Sequence, residues 1–227
     1  MVSLTRSQFE DELEKLRNHL LEMGNEADRA VADAMTALEE RDVALARQVI
    51  IDDDRIDEMD LLIEGECMRL IALQHPLARD LRLVGTALKI VTDLERIGDH
   101  AVDIAKVARK LAHDKAREPL ADLPRMATAV RRMLRTALEA FVRHDLSLVE
   151  TAVMADDEVD DLFHSIRDDL HQAMRKNPND VVDASYLLFV AHYLERMADH
   201  AVNIAERVYF VETGELSQLA KSHKKGS

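Results

Sequence analysis

The sequence predicts an all-α protein made of two tandem antiparallel three-helix bundles related by internal duplication. One string, Glu-Arg-(Ile/Met)-(Gly/Ala)-Asp-His-Ala-Val-(Asp/Asn)-Ile-Ala, begins at Glu95 and again at Glu195, 100 residues later. A repeat at this spacing is typical of two domains of ordinary size. The composition agrees, because only 6 Gly and 4 Pro interrupt 227 residues that are rich in helix-forming Leu, Ala, Glu and Arg.

Apolar residues at helical spacing predict three helices in the first half, at about 6–40, 43–73 and 77–113. The dipeptide Arg41-Asp42 marks the first turn. His75-Pro76 separates the second helix from the third, because proline lacks a backbone donor and restricts the residue before it. Short connections of this kind predict an antiparallel bundle.

The pattern restarts after a polar stretch at 114–124, which is the best candidate for a domain boundary. A fourth helix is predicted at about 124–143, and the dipeptide His144-Asp145 repeats the earlier turn. A fifth helix then runs to about 176 and a sixth covers about 181–211. We therefore expect a first bundle at 1–114, a second at 124–213 and a disordered tail at 214–227. Helices of this length indicate an elongated molecule that can pack on a partner, and we expect a homodimer.

Charge and cysteine content narrow the class of protein. The net charge of −14 disfavours nucleic acid as a ligand and favours metal cations and basic protein surfaces, although an acidic surface also serves solubility alone. The single cysteine, Cys67, allows no disulfide within the chain, which fits a reducing compartment. The first residues lack the apolar core of a signal peptide, and no apolar run is long enough to span a bilayer. We expect a cytoplasmic protein without membrane insertion.

The repeated string places two carboxylates on one helix face. Glu95 and Asp99 lie four residues apart, as do Glu195 and Asp199, so the members of each pair project side by side. On a helical wheel both pairs fall at the edge of an apolar arc. Like charges beside an apolar stripe cost free energy through repulsion and partial burial. A bound cation would offset both costs.

A second row of carboxylates begins the middle helix of each half. The row is shorter in the second half, because Phe163 and Arg167 stand where the first half has acids. If neighbouring helices are antiparallel, four carboxylates could meet in one groove per half, and an all-oxygen donor set suits Mg²⁺, Mn²⁺ or iron. The rows comprise Asp53, Asp57, Asp60 and Glu64 in the first half and Asp156 and Asp160 in the second.

Another interpretation is that these acids are solvated helix faces, with Arg96 and Arg196 as their local ion-pair partners. His100 and His200 follow the acidic pairs but lie about 100° away on the wheel. That angle makes direct ligation of the same ion awkward and favours a supporting or helix-packing role.

At these residues the chain resembles the PhoU family of phosphate-transport regulators. The most specific segments are 94–105 and 194–205, and 74–82 before the third helix also fits. The resemblance covers nearly the whole chain. It implies a non-enzymatic, cytoplasmic protein that represses the phosphate-starvation response and links the ATPase subunit of the Pst ABC transporter to the sensor kinase PhoR.

The resemblance also implies multinuclear metal clusters, of iron or zinc, held by the acidic motifs. Asp60, Glu64 and Asp103 are further candidates in the first half, and Asn203 replaces the last of them in the second. The acids missing from the second row predict unequal sites. By position, the ligands are Asp53, Asp57, Glu95 and Asp99 in the first cluster and Asp156, Asp160, Glu195 and Asp199 in the second.

Two other functions compete with a metal-binding regulator. A metal-independent helical adaptor would keep the apolar stripes and expose the acids to water. A carboxylate-bridged di-iron oxidase of the ferritin-like type needs Glu-x-x-His pairs in a four-helix bundle. No Glu precedes a His at that spacing, and the nearest imitations are Asp161/His164 and Asp168/His171 on one helix.

Overall fold

The computed structural model describes residues 6–74, 76–112 and 122–219, and within these ranges the protein is helical and contains no strand. The predicted boundary at 114–124 lies mostly outside them. The helices are α1 (Arg6–Glu40), α2 (Val43–Gln74), α3 (Arg79–Leu111), α4 (Asp122–Arg143), α5 (Leu146–Met154), α6 (Asp156–Lys176) and α7 (Val181–Thr213), with a 3-10 turn at Pro178–Asp180 before α7.

The first turn of each half has the same geometry, as the sequence predicts. Arg41 and His144 both adopt a left-handed backbone conformation with φ of 57°. The aspartate that follows then caps the next helix: Asp42 accepts hydrogen bonds from the backbone N–H groups of Ala44 and Leu45, and Asp145 from that of Ser147. The equivalent turns support the duplication.

Helices α1, α2 and α3 pack on one another, and α4, α6 and α7 form a second bundle. The bundles meet where α3 lies antiparallel to α7, with α1 against α4. Apolar side chains from both halves join in one continuous core, with Leu94 and Leu194 both fully buried in it. The predicted fold class is confirmed, and the shared core fixes the two acidic grooves relative to each other.

The single helix predicted between the His144-Asp145 turn and residue 176 is wrong, because Ala155 interrupts it between α5 and α6. Asp156, Asp157 and Glu158 form the first turn of α6, where acidic side chains interact favourably with the helix dipole. The equivalent part of the first half lies inside the uninterrupted helix α2. The two acidic rows therefore begin in different local structures.

The predicted disordered tail begins at residue 214, but residues 214–219 have a defined structure. Gly214 ends α7 in a left-handed conformation with φ of 79°, a geometry that suits glycine. The chain then follows the second bundle as far as Leu219, which packs against the core and donates its backbone N–H to Glu206. Residues 220–227 lie outside the described ranges.

Asp28 of α1 connects the two bundles through a buried ion pair. Its carboxylate accepts hydrogen bonds from Arg131 Nε and Nη2, both at 2.9 Å, and from Arg135 Nη2 at 2.7 Å. Burial by itself would raise the pKa of Asp28, but the hydrogen bonds and charge of the two arginines outweigh it and lower that pKa.

Replacing Asp28 with Asn is expected to reduce the free energy of unfolding at pH 7 by about 1–3 kcal/mol, because it removes the buried charge that accepts the hydrogen bonds of Arg131 and Arg135. Urea denaturation measures this loss. An aspartate with a lowered folded-state pKa stabilises the protein above its unfolded pKa of about 3.9, and this stabilisation disappears as the pH falls through the folded value. The difference from wild type should therefore persist down to about pH 4 and shrink below it.

The matched control is Glu139→Gln, which breaks an exposed ion pair with Arg143 on the same helix α4. Exposed pairs of this kind contribute about 0–1 kcal/mol. Equal losses in the two variants would contradict a special role for Asp28 between the bundles.

No helix in the described ranges combines the length and the apolar character needed to cross a membrane.

Candidate metal centres

The first acidic groove lies between α2 and α3 and brings the four predicted carboxylates of this half together. Asp53 experiences the negative charges of Asp57, Asp99 and Glu95, and Glu95 experiences those of Asp99 and Asp57. The helix spacing places two acids on each wall, and the contact between α2 and α3 places the walls opposite each other. The four carboxylates therefore act on one another electrostatically across this groove.

These carboxylates are destabilised by their surroundings. Burial, followed by repulsion from Asp57, Asp99 and Glu95, raises the pKa of Asp53 from its ordinary value to about 6. Burial and the charge of Asp99 likewise raise the pKa of Glu95. Gly98 leaves space for Asp53, because a Cβ atom there would lie 3.1 Å from Asp53 Oδ1 and 2.9 Å from Ile56 Cδ1.

The three additional candidate ligands of the first half lie in different places. Asp60 belongs to the groove: burial, Glu64 and Asp57 raise its pKa, and its own charge acts on Glu95. Glu64 is exposed one turn further along α2. Asp103 lies on the side of α3 that faces α7, where it pairs with Lys106 at 2.9 Å. We therefore leave Asp103 out of the first donor set.

The second acidic groove lies between α6 and α7. Burial, followed by the charge of Asp199, raises the pKa of Glu195, and Asp160 contributes from the opposite wall. Asp156 is buried in the first turn of α6, with a relative exposure of 9%. One oxygen of Glu195, Oε2, is buried without a hydrogen-bond partner. His192 Nδ1 lies 3.3 Å from this oxygen, so a protonated imidazole or a bound cation could neutralise its charge.

Arginines compete for the outer carboxylates, as the solvated-face interpretation expects. Arg96 Nη1 lies 2.9 Å from Asp99 Oδ2, and Arg196 Nη1 lies 2.9 Å from Asp199 Oδ2. In the observed side-chain positions, no three His, Cys, Asp or Glu residues of the described ranges are placed to hold one ion. Metal binding would therefore require the ion pairs of Asp99 and Asp199 with these arginines to break. Arg96 and Arg196 are both exposed, so each can move into solvent.

The two repeated histidines lie at the contact between the bundles, which confirms their helix-packing role. His200 Nδ1 lies 2.9 Å from Asp93 Oδ1, and the same oxygen accepts a hydrogen bond from Asn203. His100 stacks on Tyr193 with ring centroids 5.6 Å apart. The histidines thus join α3 to α7.

The residues considered for a di-iron oxidase do not form a site. His164 is exposed, and its Nδ1 lies 2.6 Å from the backbone oxygen of Asp160. His171 and Asp168 are also exposed on the surface of α6. Oxidase ligands have to meet inside a helical bundle, so this arrangement does not support the oxidase alternative.

Sequence reasoning missed one residue of the second groove. His192, one turn before Glu195 on α7, places Nδ1 3.3 Å from Glu195 Oε2. The corresponding position of the first half holds Thr92. A residue-by-residue comparison of the two repeats would have revealed this histidine, because it coincides with the loss of an acid at Phe163.

Comparison with known protein families gives one consistent result. The family model described as "PhoU domain" matches residues 20–108 and 123–208, one match in each half. A phosphate-specific transport system accessory protein PhoU homolog from Clostridium acetobutylicum is 40% identical over 217 residues, covering 95% of this chain and 99% of the relative. A homolog of the same description from Pseudomonas putida is 38% identical over 208 residues, covering 91% and 81%.

Solved structures agree in fold. The crystal structure of PhoU from Pseudomonas aeruginosa superposes with a TM-score of 0.87 at 36% identity, covering 91% of this chain and 100% of that one. The phosphate transport system regulatory protein PhoU from Streptococcus pneumoniae gives a TM-score of 0.85 at 31% identity, covering 92% and 99%. Both the sequence and the helical arrangement therefore match along nearly the full length.

Proposed function

The chain belongs to the PhoU family, and from this premise we propose that it is a cytoplasmic, non-enzymatic regulator of bacterial phosphate uptake. Relatives at 34–40% identity are described as accessory proteins of the phosphate-specific transport system. In this proposal the protein represses the phosphate-starvation response when phosphate is plentiful. It does so by linking the ATPase subunit of the Pst transporter to a PhoR-type sensor kinase.

Metal ions held in the two acidic grooves are part of the proposal. The observation that carries it is the pair of grooves itself, in which partial burial and then mutual repulsion raise the pKa values of Asp53, Glu95 and Glu195. The Glu195 Oε2 atom, which is buried and makes no hydrogen bond, and the close approach of Asp53 to Gly98 fit this interpretation. The proposed ligands of the first centre are Asp53, Asp57, Glu95 and Asp99, with Asp60 and Glu64 as additional candidates. Those of the second centre are Asp156, Asp160, Glu195 and Asp199.

A bound cation would supply positive charge that holds two helices at a fixed spacing and neutralises part of an acidic surface. Oxygen donors accept iron, Mn²⁺ or Mg²⁺, and Zn²⁺ is also compatible with carboxylates. This chain's own residues position the donors through the shared core of the two bundles. Docking on partners would then depend on the metal, because the net charge of −14 is otherwise unrelieved.

Affinity capture from cells tests the partner part of the proposal. We expect the wild-type chain to retain the transporter ATPase and the sensor kinase, and a quadruple variant, Asp53→Asn, Glu95→Gln, Asp160→Asn and Glu195→Gln, to retain much less of both. The matched control neutralises the same number of exposed acids away from the grooves: Glu10, Asp11, Glu40 and Glu139. Equal recovery by wild type and the groove variant would contradict a role for the grooves in docking.

A metal-independent adaptor is the second candidate, supported by the ion pairs of Arg96 with Asp99 and of Arg196 with Asp199. It predicts full recovery of partners after the wild-type protein has been stripped with a chelator. The metal-dependent scaffold predicts loss of partners on chelation and recovery when metal is restored. The same capture experiment, with and without chelator, separates the two.

Both proposals include a homodimer, and analytical sedimentation measures the oligomeric state.

A further inference from the structure

The two acidic grooves differ in one layer of side chains. In the first groove this layer holds Asp60 on α2 and Thr92 on α3, whose hydroxyl donates to the backbone oxygen of Leu88. In the second groove the equivalent layer holds Phe163 on α6 and His192 on α7, with ring centroids 6.4 Å apart. One groove has thus exchanged a carboxylate for an aromatic ring and has gained an imidazole on the opposite wall.

The imidazole lies against a proposed metal ligand. His192 Nδ1 is 3.3 Å from Glu195 Oε2, the oxygen that is buried and has no hydrogen-bond partner. The two residues are three positions apart on α7, so both project toward α6. Asp160 acts on the same glutamate from α6. The histidine side chain is 53% exposed, so it can turn its ring without disturbing the core.

The phenyl ring of Phe163 favours this arrangement over simple solvation. It is partly buried, packs against the core and contacts both His164 and His192. An apolar wall on one side of a polar group lowers the local dielectric constant and strengthens electrostatic interactions there. It also limits the positions that the imidazole can adopt, which favours binding of an ion that His192 and Glu195 share.

We propose that His192 is a ligand of the second metal centre, which gives that centre a mixed nitrogen and oxygen donor set. This inference rests on the proposed metal-binding function. Imidazole suits Zn²⁺, Cu²⁺ and Fe²⁺, whereas carboxylate and water suit Mg²⁺ and Mn²⁺. The second centre therefore prefers Zn²⁺ over Mn²⁺, and the first centre, with Asp60 in place of an aromatic ring, discriminates less.

Reciprocal exchange between the repeats tests the proposal in untagged, full-length protein. His192→Thr copies the first repeat into the second, and Thr92→His does the reverse. Competition titrations with Zn²⁺ and Mn²⁺ should show His192→Thr weakening Zn²⁺ binding at one centre by about tenfold or more, with Mn²⁺ binding little changed. Thr92→His should strengthen Zn²⁺ binding at the other centre.

Electron paramagnetic resonance of the protein with Cu²⁺ provides a readout that is specific for the ligand. We expect ¹⁴N hyperfine coupling from an imidazole in the wild type, and its loss or reduction in His192→Thr. His164→Thr is the matched control, because it removes an exposed histidine from the neighbouring helix α6 and should leave the coupling in place. Circular dichroism verifies that each variant retains its helices.

The outcomes separate this inference from the function on which it rests. Unchanged Zn²⁺ affinity and unchanged nitrogen coupling in His192→Thr, in a protein that still binds metal at both grooves, would overturn the role of His192 alone. A wild-type protein that takes up neither Zn²⁺ nor Mn²⁺ would overturn the metal centres and this inference together.

Discussion

Replacing Asp53 with Asn is expected to stabilise the metal-free protein by about 1–2 kcal/mol at pH 7.5, although it removes a proposed ligand. The folded state raises the pKa of Asp53 to about 6, chiefly through burial and then through repulsion from Asp57, Asp99 and Glu95. Each unit of pKa shift corresponds to about 1.4 kcal/mol, and solvent screening in the open groove reduces the total. Most substitutions destabilise a protein, so the direction of this effect is itself informative.

The pH dependence of the effect follows from the sign of the shift. An acid whose folded-state pKa is raised destabilises the folded protein when it is ionised, and it has no effect when it is protonated in both states. The advantage of Asp53→Asn should therefore be absent near pH 4, should grow between about pH 4 and 6, and should stay constant above that range. Urea denaturation of chelator-treated protein at pH 4.5 and 7.5 measures it.

Asp54→Asn is the control for this prediction. It removes the same charge from the adjacent position, but Asp54 is exposed and adds only the smallest of the contributions that raise the pKa of Asp53. Its effect on stability should stay within about 0.5 kcal/mol. If Asp53→Asn lowers the stability at pH 7.5, or if both variants behave alike, the groove is not electrostatically strained.

Metal loading is expected to have the larger effect on stability. A ligand that binds only the folded state at 100 times its dissociation constant adds about 2.7 kcal/mol per site to the free energy of unfolding. Two centres would therefore raise the melting temperature strongly. Differential scanning calorimetry of chelated and metal-loaded protein at pH 7.5 measures this rise.

This stabilisation should weaken greatly at pH 5. Metal ligands have to be deprotonated, and the pKa values of Asp53, Glu95 and Glu195 are all raised in the folded protein. Binding at pH 5 must therefore displace protons that are absent at pH 7.5, and calorimetry in two buffers of different ionisation enthalpy would detect their release. A variant with Asp53→Asn and Glu195→Gln should lose most of the stabilisation at both pH values. An equal rise in melting temperature at pH 5 and pH 7.5 would contradict ligation by these acids.

The sequence predicts which acids share a helix face, because that placement depends on local geometry. Residues four apart on a helix share a face whatever surrounds them, and Glu95 and Glu195 indeed reach nearly the same exposure, 25% and 27% of their side chains. The turns at Arg41 and His144 were predictable for the same reason. Each depends on one left-handed residue and one capping aspartate.

Features that depend on tertiary packing were not predictable in this way. Nothing local marks Asp28 as the partner of Arg131 and Arg135, because that contact exists only once the two bundles dock through α1 and α4. The break at Ala155 was also missed, since alanine favours helix and neither Gly nor Pro stands there. The acidic first turn of α6 is the one local feature that indicates a new helix start. The sequence pattern instead assigns Asp156 of this turn to a row of metal ligands.

The metal content of the untagged protein, purified under mild conditions without chelator, tests the central claim most directly. We predict at least one tightly bound transition-metal ion per chain in the wild type by elemental mass spectrometry, and a large loss in Asp99→Ala/Asp199→Ala protein that retains its helices. A wild-type protein without metal, or the same metal content in both proteins, would contradict the claim that the duplicated acidic motifs are metal centres.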